Sequence, residues 1–484
     1  IGFTNDGGRT DIAANGTFLN NSMMPSLGYN EGVELSDEDD RIEYKLPKKP
    51  YRMRPITDTA SYANTYLAQD ADWVQYKCTL STTADQIAIS PGYLQNEWMQ
   101  NGRKYYAYAM DAPILNFFSY LSARYSVNRD VWSNPKDANQ KVNIEIFSHP
   151  THQWNVAGMK NAIKKTLDYA SANFSNYQFR QVRILEFPRY RNFAQSFPNT
   201  IPFGEGLGFI LDVDKENDID MAFYVTAHEV AHQWWGHQVA GANCQGSTVM
   251  VETMAQYTAL MVMEHEFGTA HMEKFLKYEM DDYLRGRSAE RQKELPLMLC
   301  ENQGYIHYNK GSCIMYALKD YVGETKLNKA LQQFIKTYQF QNPPYVTAPV
   351  FVDYLKQATP DSLKYIITDM FENITVFNLR TTAVTALKTN NTYRVNVNID
   401  ALKAVADSVG NEQNIKLNDW VDIGVYTQTK SGNDSLIYLQ KHLVANNTKQ
   451  VTVTVNQLPS KAGIDPLHKL IDRQTSDNVK KITL

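Results

Sequence analysis

The chain has 484 residues, of which 43% are hydrophobic. A single core rarely grows beyond about 250–300 residues, so we expect two to four domains, and this apolar content excludes wholesale disorder. Its 48 basic and 52 acidic residues leave a net charge of −4. That balance gives no support for a nucleic-acid partner, which would require a basic surface.

The chain begins at Ile1 and holds no apolar stretch near the roughly 20 residues that a membrane helix needs. No secretory signal is visible, and because the first residue is not methionine we expect the chain to have been cut from a longer parent. The cysteines lie far apart without a C-x-x-C pair, which argues against a cysteine-ligated metal. We expect free thiols, with disulfides as the alternative.

Residues 1–115 are typical of strands and turns, and the alternating segment 73–90 ends at Pro91-Gly92. The following region is mixed. Apolar periodicity predicts a helix over 159–174, between short strands at 142–147 and 182–187.

Residues 219–378 are mostly helical in pattern, and the chain becomes β-rich again after Arg380. Strict alternation predicts strands at 393–399 and 451–455. The polar segment 403–418 is predicted to be a loop.

The segment from Asp220 to Val239 has helical periodicity and contains H-E-x-x-H, with histidines at 228 and 232. Residues four apart share a helix face, so His228 and His232 can both direct a ring nitrogen at one ion. Glu229 flanks the ion instead of ligating it, and is placed to act as general base. The alternative is that the two histidines are only packed on a helix face.

A catalytic zinc needs three protein ligands and one open position. The helical pattern over 249–264 has Glu252 near its start, between the apolar residues Val251 and Met254. A buried carboxylate needs a partner, and the metal would supply one. A solvated glutamate in the first turn of a helix is the alternative.

The run from His228 to Gly236, HEVAHQWWG, resembles the HELAHQWFG signature of the aminopeptidase N family, the gluzincins that include leukotriene A hydrolase. The run from Glu252 to Tyr257, E-T-M-A-Q-Y, resembles the family's E-G-x-A-x-Y around its third ligand. Two departures stand out. Nineteen residues separate His232 from Glu252, where the family has eighteen, and Thr253 replaces the family's glycine. We expect one inserted residue in the loop at 241–247.

Two further segments are similar to family elements. Tyr308-Asn309-Lys310-Gly311 resembles the family's Y-x-K-G, which implies that the Tyr308 hydroxyl stabilises the oxyanion. The stretch around Glu205 aligns with the family's G-x-M-E-N, with Gly204 and Gly206 in place of Met and Asn. This implies that Glu205 binds the free α-amino group while a peptide lies extended along a strand edge near 204–209.

The resemblance extends to a bacterial branch in which the peptidase is fused behind an ABC-type permease-like membrane portion, on the segments FPNTIP (197–202) and GAN (241–243) followed by QG (245–246). It implies an α+β fold. A thermolysin-like catalytic domain at 116–378 would combine a mixed β lobe with a helical lobe, flanked by β-rich domains at 1–115 and 379–484. It also implies an extracytoplasmic, periplasmic location for a chain whose parent has membrane segments elsewhere.

The sequence therefore predicts a zinc aminopeptidase with one Zn²⁺ per chain, which hydrolyses N-terminal residues from peptides with metal-activated water. Glu229 and Tyr308 would be catalytic, and His228, His232 and Glu252 would hold the ion. An endopeptidase or epoxide hydrolase on the same site is one alternative. A non-catalytic peptide-binding or regulatory domain of a membrane transporter is the other.

Overall fold

The computed structural model describes residues 12–13, 15–25, 27–29, 34–49, 51–68, 70–214, 218–430 and 432–482. Contacts group the chain into two units. The first comprises residues 1–266 and 324–358, and the second comprises 267–323 and 359–484. The three domain boundaries expected from the sequence stay a prediction.

The strands of the first unit are β1 (Ile12–Ala13), β2 (Gly16–Asn20), β3 (Trp73–Val74), β4 (Lys77–Thr83), β5 (Ile87–Ile89), β6 (Tyr93–Gln100), β7 (Arg103–Ala109), β8 (Ile114–Leu115), β9 (Ser119–Ala123), β10 (Ser126–Asn134), β11 (Asp137–Ser148), β12 (Gln181–Phe187) and β13 (Thr200–Gly204). They form sheets in the orders β1-β2-β9-β5, β4-β7-β6, β3-β8 and β10-β11-β12-β13.

The helices of the first unit are α1 (Glu38–Glu43), α2 (Val156–Asn173), α3 (Met221–Ala231), α4 (Met254–Phe267), α7 (Glu324–Tyr338) and α8 (Ala348–Ala358), with 3₁₀ turns at Asn21–Met23 and Thr59–Ala63 and a π turn at Val249–Thr253. Helix α3 begins at Met221 because Asp220 caps it, accepting a hydrogen bond from Phe223 N at 2.9 Å.

The sheet β10-β11-β12-β13 positions the site. Strand β10 is antiparallel to β11, while β11, β12 and β13 are parallel. Ile144 on β11 and Ile184 on β12 are fully buried, as are Ile163 and Leu167 on the inner face of α2. Parallel strands are covered on their faces, which explains the apolar runs in these segments. The strands predicted at 142–147 and 182–187 and the helix predicted at 159–174 are confirmed.

The strands of the second unit are β14 (Ile374–Thr389), β15 (Thr392–Ala406), β16 (Glu412–Ile415), β17 (Asn418–Gln428), β18 (Asp434–Ala445), β19 (Gln450–Val455), β20 (Lys461–Ile464) and β21 (Val479–Lys481). Its helices are α5 (Thr269–Ser288), α6 (Gly311–Val322) and α9 (Lys364–Ile367), with π turns at Tyr305–Lys310 and Thr368–Glu372 and 3₁₀ turns at Leu297–Leu299, Asp361–Leu363 and Thr475–Asp477. The strands predicted at 393–399 and 451–455 are confirmed, and they pair with each other.

The loop predicted at 403–418 is wrong. Strand β15 continues to Ala406 and pairs with β16 across a tight turn. Asp407 Oδ1 closes this turn by accepting hydrogen bonds from Val409 N and Asn411 N at 3.0 and 2.8 Å. The segment is polar because β16 is largely exposed. In the part of the chain that the structure describes, we find no helix long and apolar enough to span a bilayer.

Candidate metal centre and active site

Three side chains of the first unit converge on one point. The Nε2 atoms of His228 and His232 are 3.0 Å apart. Glu252 Oε2 lies 3.5 Å from His228 Nε2 and 3.3 Å from His232 Nε2. His228 lies in the last turn of α3, and His232 is the residue that caps its C-terminus. The four-residue spacing therefore places both rings on one side, as predicted.

This arrangement fits a zinc ion. Tetrahedral bonds of about 2.0–2.1 Å would separate neighbouring ligand atoms by roughly 3.3 Å, close to the separations found here. Glu252 Oε2 is buried and has no hydrogen-bond partner among the described residues. A buried carboxylate oxygen facing two imidazole nitrogens is the donor set of a catalytic zinc centre.

The His232 ring is held by a backbone contact. Its Nδ1 lies 3.1 Å from Trp235 O, to which it donates. With a metal bound, this bond would leave Nε2 as the nitrogen without a proton, as ligation requires. The contact exists because α3 ends at Ala231 instead of continuing towards Val239, and Gly236, with φ of +125°, turns the chain back.

Glu252 lies in the π turn Val249–Thr253 that precedes α4. Turns of this type are produced by one extra residue within a helix and are frequent at functional sites. The nineteen-residue spacing between His232 and Glu252 can therefore be accommodated inside the helix itself, and not only in the loop at 241–247.

Burial and neighbouring charges set the pKa values at the centre. Burial raises the pKa of Glu229 to about 7, and the Glu252 carboxylate adds to this while His232 opposes it. Burial also lowers the pKa of His228, as does His232 beside it. Burial alone would raise the pKa of Glu252, but the two imidazoles hold it well below its ordinary value. A carboxylate with a pKa near neutrality suits a general base.

Glu205 lies immediately after β13, and its backbone N–H donates to Phe187 O at 3.0 Å. Its Oε1 accepts a hydrogen bond from Arg189 N at 2.8 Å. Its Oε2 lies 4.0 Å from His152 Nδ1, which also contacts Glu186. Glu205 therefore belongs to a cluster of one histidine and two carboxylates.

The structure corrects one expectation about the strand edge. Residues 205–210 form turns, so the segment is not extended beyond Gly204. The outer edge of β13 is occupied by the chain itself: Gly204 N donates to Phe193 O at 2.9 Å and Gln195 N donates to Pro202 O at 3.1 Å. A peptide could pair with Gly204 only by displacing this segment.

Close packing explains why position 204 is a glycine. A Cβ added there would lie 3.1 Å from Phe193 O and 3.3 Å from Arg191 O. The residue is therefore small because the returning chain approaches its backbone closely. At Gly206 the nearest atom to an added Cβ would be Arg189 Cδ at 3.4 Å, an ordinary contact.

Tyr308 lies in the second unit, in the π turn Tyr305–Lys310. Its ring packs edge-on against His307, with centroids 4.3 Å apart. Its role opposite the metal stays a prediction.

Sequence reasoning missed Glu186 and His152. Glu186 is 5% exposed, and its Oε2 accepts a hydrogen bond from His149 N at 2.6 Å. A single carboxylate within the apolar run of β12 was a signal that could have revealed Glu186. Nothing in the local sequence distinguishes His152, because its partners lie 34 and 53 residues away (186 − 152 and 205 − 152).

Comparison with known proteins finds relatives of the region around this centre. Residues 159–372 match the model of the peptidase family M1 domain. Human endoplasmic reticulum aminopeptidase 2 is 25% identical over 209 residues, which is 42% of this chain and 22% of that protein. Probable aminopeptidase 1 of Sulfurisphaera tokodaii is 24% identical over 190 residues, or 37% of this chain and 24% of that protein. The matches thus span about a quarter or less of these relatives.

Among solved structures, Legionella pneumophila aminopeptidase A in complex with aspartic acid superposes with a TM-score of 0.55 and 14% identity. The match covers 88% of this chain and 49% of that one. This confirms the predicted α+β fold, in which β-rich parts flank a thermolysin-like catalytic domain. In sequence, residues 159–372 are similar to the peptidase family M1 domain.

Proposed function

We propose that this chain is the catalytic part of a zinc aminopeptidase, which hydrolyses N-terminal residues from peptides. The observation that carries the proposal is the convergence of His228, His232 and Glu252 on one point, with buried Glu229 next to the first ligand. The same residues lie within the M1 domain match, and the relatives cited above are aminopeptidases.

In this proposal His228, His232 and Glu252 hold one zinc ion. Bound zinc supplies Lewis acidity, which polarises a peptide carbonyl and makes water a better nucleophile. Glu229 takes the proton from the attacking water at its carboxylate and passes it to the leaving amine. The Tyr308 hydroxyl donates a hydrogen bond to the oxyanion that develops on the substrate.

Selection of N-terminal residues needs an anionic subsite for the α-ammonium group. Glu205 and Glu186 supply two carboxylates that line one cavity of about 210 Å³, with His152 between them. Arg124 also lines this cavity, but it pairs with Asp85. The carboxylates of Glu205 and Glu186 give this cavity a negative charge that favours a cation. This supports Glu205 as the anchor of a free amino terminus.

The same residues argue against two alternative functions. An endopeptidase would not need a carboxylate cluster for a terminal ammonium. A non-catalytic binding domain would not need Glu229, whose burial and raised pKa suit proton transfer. No observation favours an epoxide hydrolase.

We further propose that the parent protein carries membrane segments and presents this chain on the extracytoplasmic side. The support is the resemblance of residues 197–202 and 241–246 to the permease-fused branch. Fractionation of the native host tests this proposal. We expect the full-length protein in the membrane fraction, and its recovery in the cytosol would refute it.

A panel of aminoacyl-chromophore substrates tests the proposed activity. Hydrolysis should stop in a chelator and return when zinc is added, since the metal is required. Metal analysis should find one zinc per chain, and both His228→Ala and Glu252→Ala should lose it. Zinc content near zero that added zinc does not restore would refute the metal site. Hydrolysis that persists in these variants would refute the mechanism.

A further inference from the structure

The π turn Tyr305–Lys310, which carries Tyr308, leads directly into α6. A π turn is a rare interruption of helical structure and is often found at functional sites. Tyr308 itself is half-buried. The contacts that fix the turn therefore decide where the Tyr308 hydroxyl lies, and they come from residues to which the proposed function gives no role.

Lys310, two residues after Tyr308, reaches into the interior of the second unit. It is 1% exposed, and its Nζ donates to Glu294 Oε1 at 3.2 Å. The centre of the Tyr283 ring lies 5.3 Å from the same Nζ. Side chains two residues apart do not face each other on a helical turn. Lys310 can therefore be buried while Tyr308 stays partly exposed.

Glu294 is fixed in turn by two further donors. The carboxylate is buried, and the Tyr283 hydroxyl donates to its Oε1 at 2.7 Å. Arg287 Nε donates to its Oε2 at 2.7 Å. Both of these donors belong to α5. Lys310 is thus tied through Glu294 to helix α5.

A second contact ties the same stretch of chain to α5. Asn309 Nδ2 donates to Glu279 Oε2 at 2.7 Å, and Glu279 is also buried. The two residues that follow Tyr308 are therefore both anchored through a carboxylate, which restricts the backbone where it leaves Tyr308.

Stability alone does not explain a buried lysine and glutamate at this place. Apolar residues of similar volume often stabilise a protein as well as a buried ion pair does, or better. A fully satisfied polar network differs from apolar packing because it makes the structure rigid and specifies one arrangement. The network around Glu294 therefore suits a segment whose geometry matters more than its stability.

We propose that the ion pair of Lys310 and Glu294 positions the Tyr308 hydroxyl for catalysis. Both are then positioning residues, which act through Tyr308 and do not touch the substrate. This inference rests on the proposed function, in which that hydroxyl donates to the oxyanion.

Lys310→Met tests the proposal, because it removes the charge at similar size while Glu294 keeps Tyr283 and Arg287. We expect kcat on aminoacyl-chromophore substrates to fall about 10–100-fold, as it does when a catalytic group is misplaced. KM should change much less and zinc content should not change, since the effect is on the transition state. Lys277→Met, at an exposed position of α5, is the matched control and should keep the kcat of the parent. No loss in Lys310→Met, or the same loss in the control, would overturn the proposal.

A second background separates positioning from general support of the fold. When Tyr308→Phe has already removed the hydroxyl, Lys310→Met should lower kcat by less than about 2-fold further, because the pair acts only through that hydroxyl. Equal losses in the two backgrounds would contradict the proposal, since a folding defect lowers the active fraction in both. Should Lys310→Met not fold, the neutral pair Lys310→Met with Glu294→Gln takes its place, with the same expectations.

Amide hydrogen exchange of the turn Tyr305–Lys310 gives a readout that does not depend on turnover. The turn should exchange faster in Lys310→Met than in the parent or in Lys277→Met, because local opening is easier once the pair is lost. Unchanged exchange would overturn the proposal even where activity falls. A folded, zinc-loaded parent that hydrolyses no substrate would instead refute the proposed function, and the exchange result would then still decide whether the pair fixes the turn.

Discussion

The side chain of Gln233, which follows α3, is hydrogen-bonded to residues 196–199, the turn that leads into β13. Its Oε1 accepts a hydrogen bond from Asn199 N at 2.9 Å, and its Nε2 donates to Ser196 Oγ at 2.5 Å and Phe197 O at 3.0 Å. His237 Nε2 donates to Ser196 O at 2.9 Å. Gln233, the residue directly after the proposed ligand His232, thus fixes the turn that leads into the strand edge.

Gln233→Ala should destabilise the protein, because it leaves the Asn199 N–H and the Phe197 carbonyl buried without this partner. Leaving a buried group unsatisfied costs about 1–3 kcal/mol. Urea unfolding measures the change. Gln333→Ala, at an exposed position of α7, is the control and should stay within about 0.5 kcal/mol of the parent. Equal losses in the two variants would contradict the anchoring role of Gln233.

Glu229→Gln should keep one zinc per chain and lose turnover, because the amide preserves the shape of the side chain but cannot accept the proton. General-base assistance is worth about 100–10,000-fold. Turnover of aminoacyl-chromophore substrates and metal content are measured on the same preparation. Turnover near that of the parent would mean that another group takes the proton.

Tyr308→Phe should fold, retain zinc and lose about 100–1,000-fold in kcat, as expected when one oxyanion donor is removed. KM should change much less, since the hydrogen bond forms mainly in the transition state. Tyr305→Phe in the same π turn is the control. If both variants lose the same activity, the effect belongs to the turn and not to the Tyr308 hydroxyl.

Glu205→Gln should weaken substrates with a free amino terminus while leaving zinc in place. Loss of one charged hydrogen-bond partner costs about 1.5–3 kcal/mol, or roughly 10–150-fold in kcat/KM. The glutamine oxygen can still accept from Arg189 N, so the local backbone bond is preserved. N-acetylated peptides, which lack the ammonium charge, should not be cleaved. If free and acetylated peptides are cleaved equally, the site is an endopeptidase.

Glu279 on α5 predicts a pH dependence of stability in the second unit. Burial raises the pKa of this carboxyl from 4.5 to about 8, opposed by the Asn309 side chain, which donates to it at 2.7 Å. Between these values the unfolded chain ionises while the folded protein keeps the proton. The unfolded state therefore binds fewer protons, and stability falls as pH rises through this window.

The glutamine of the Glu279→Gln variant cannot ionise in either state. The variant should therefore not lose stability through this group as pH rises. The free energy of unfolding of the variant, relative to the parent, should rise between pH 5 and pH 8 when measured by urea titration. A difference that does not vary with pH would show that Glu279 titrates alike in the folded and unfolded states.

The sequence by itself determined that the two histidines of the H-E-x-x-H motif lie together. A four-residue repeat within a helix dictates that His228 and His232 share a face, since helix geometry is local and needs no tertiary contact. The same locality made α2 and the strands around it predictable from periodicity. Prediction from local pattern failed at residues 403–418. Their polar composition suggested a loop, although the exposed strand β16 pairs with β15 across a tight turn.

Only the tertiary structure decided which distant residues meet. The cluster of His152, Glu186 and Glu205 depends on the parallel pairing of β12 with β13 and on the fold of the segment after β11. Strand register places Arg129, Glu145 and Arg183 side by side on three neighbouring strands. Register is a property of the assembled sheet, because each strand's own pattern permits several alignments and only burial of the shared core selects one.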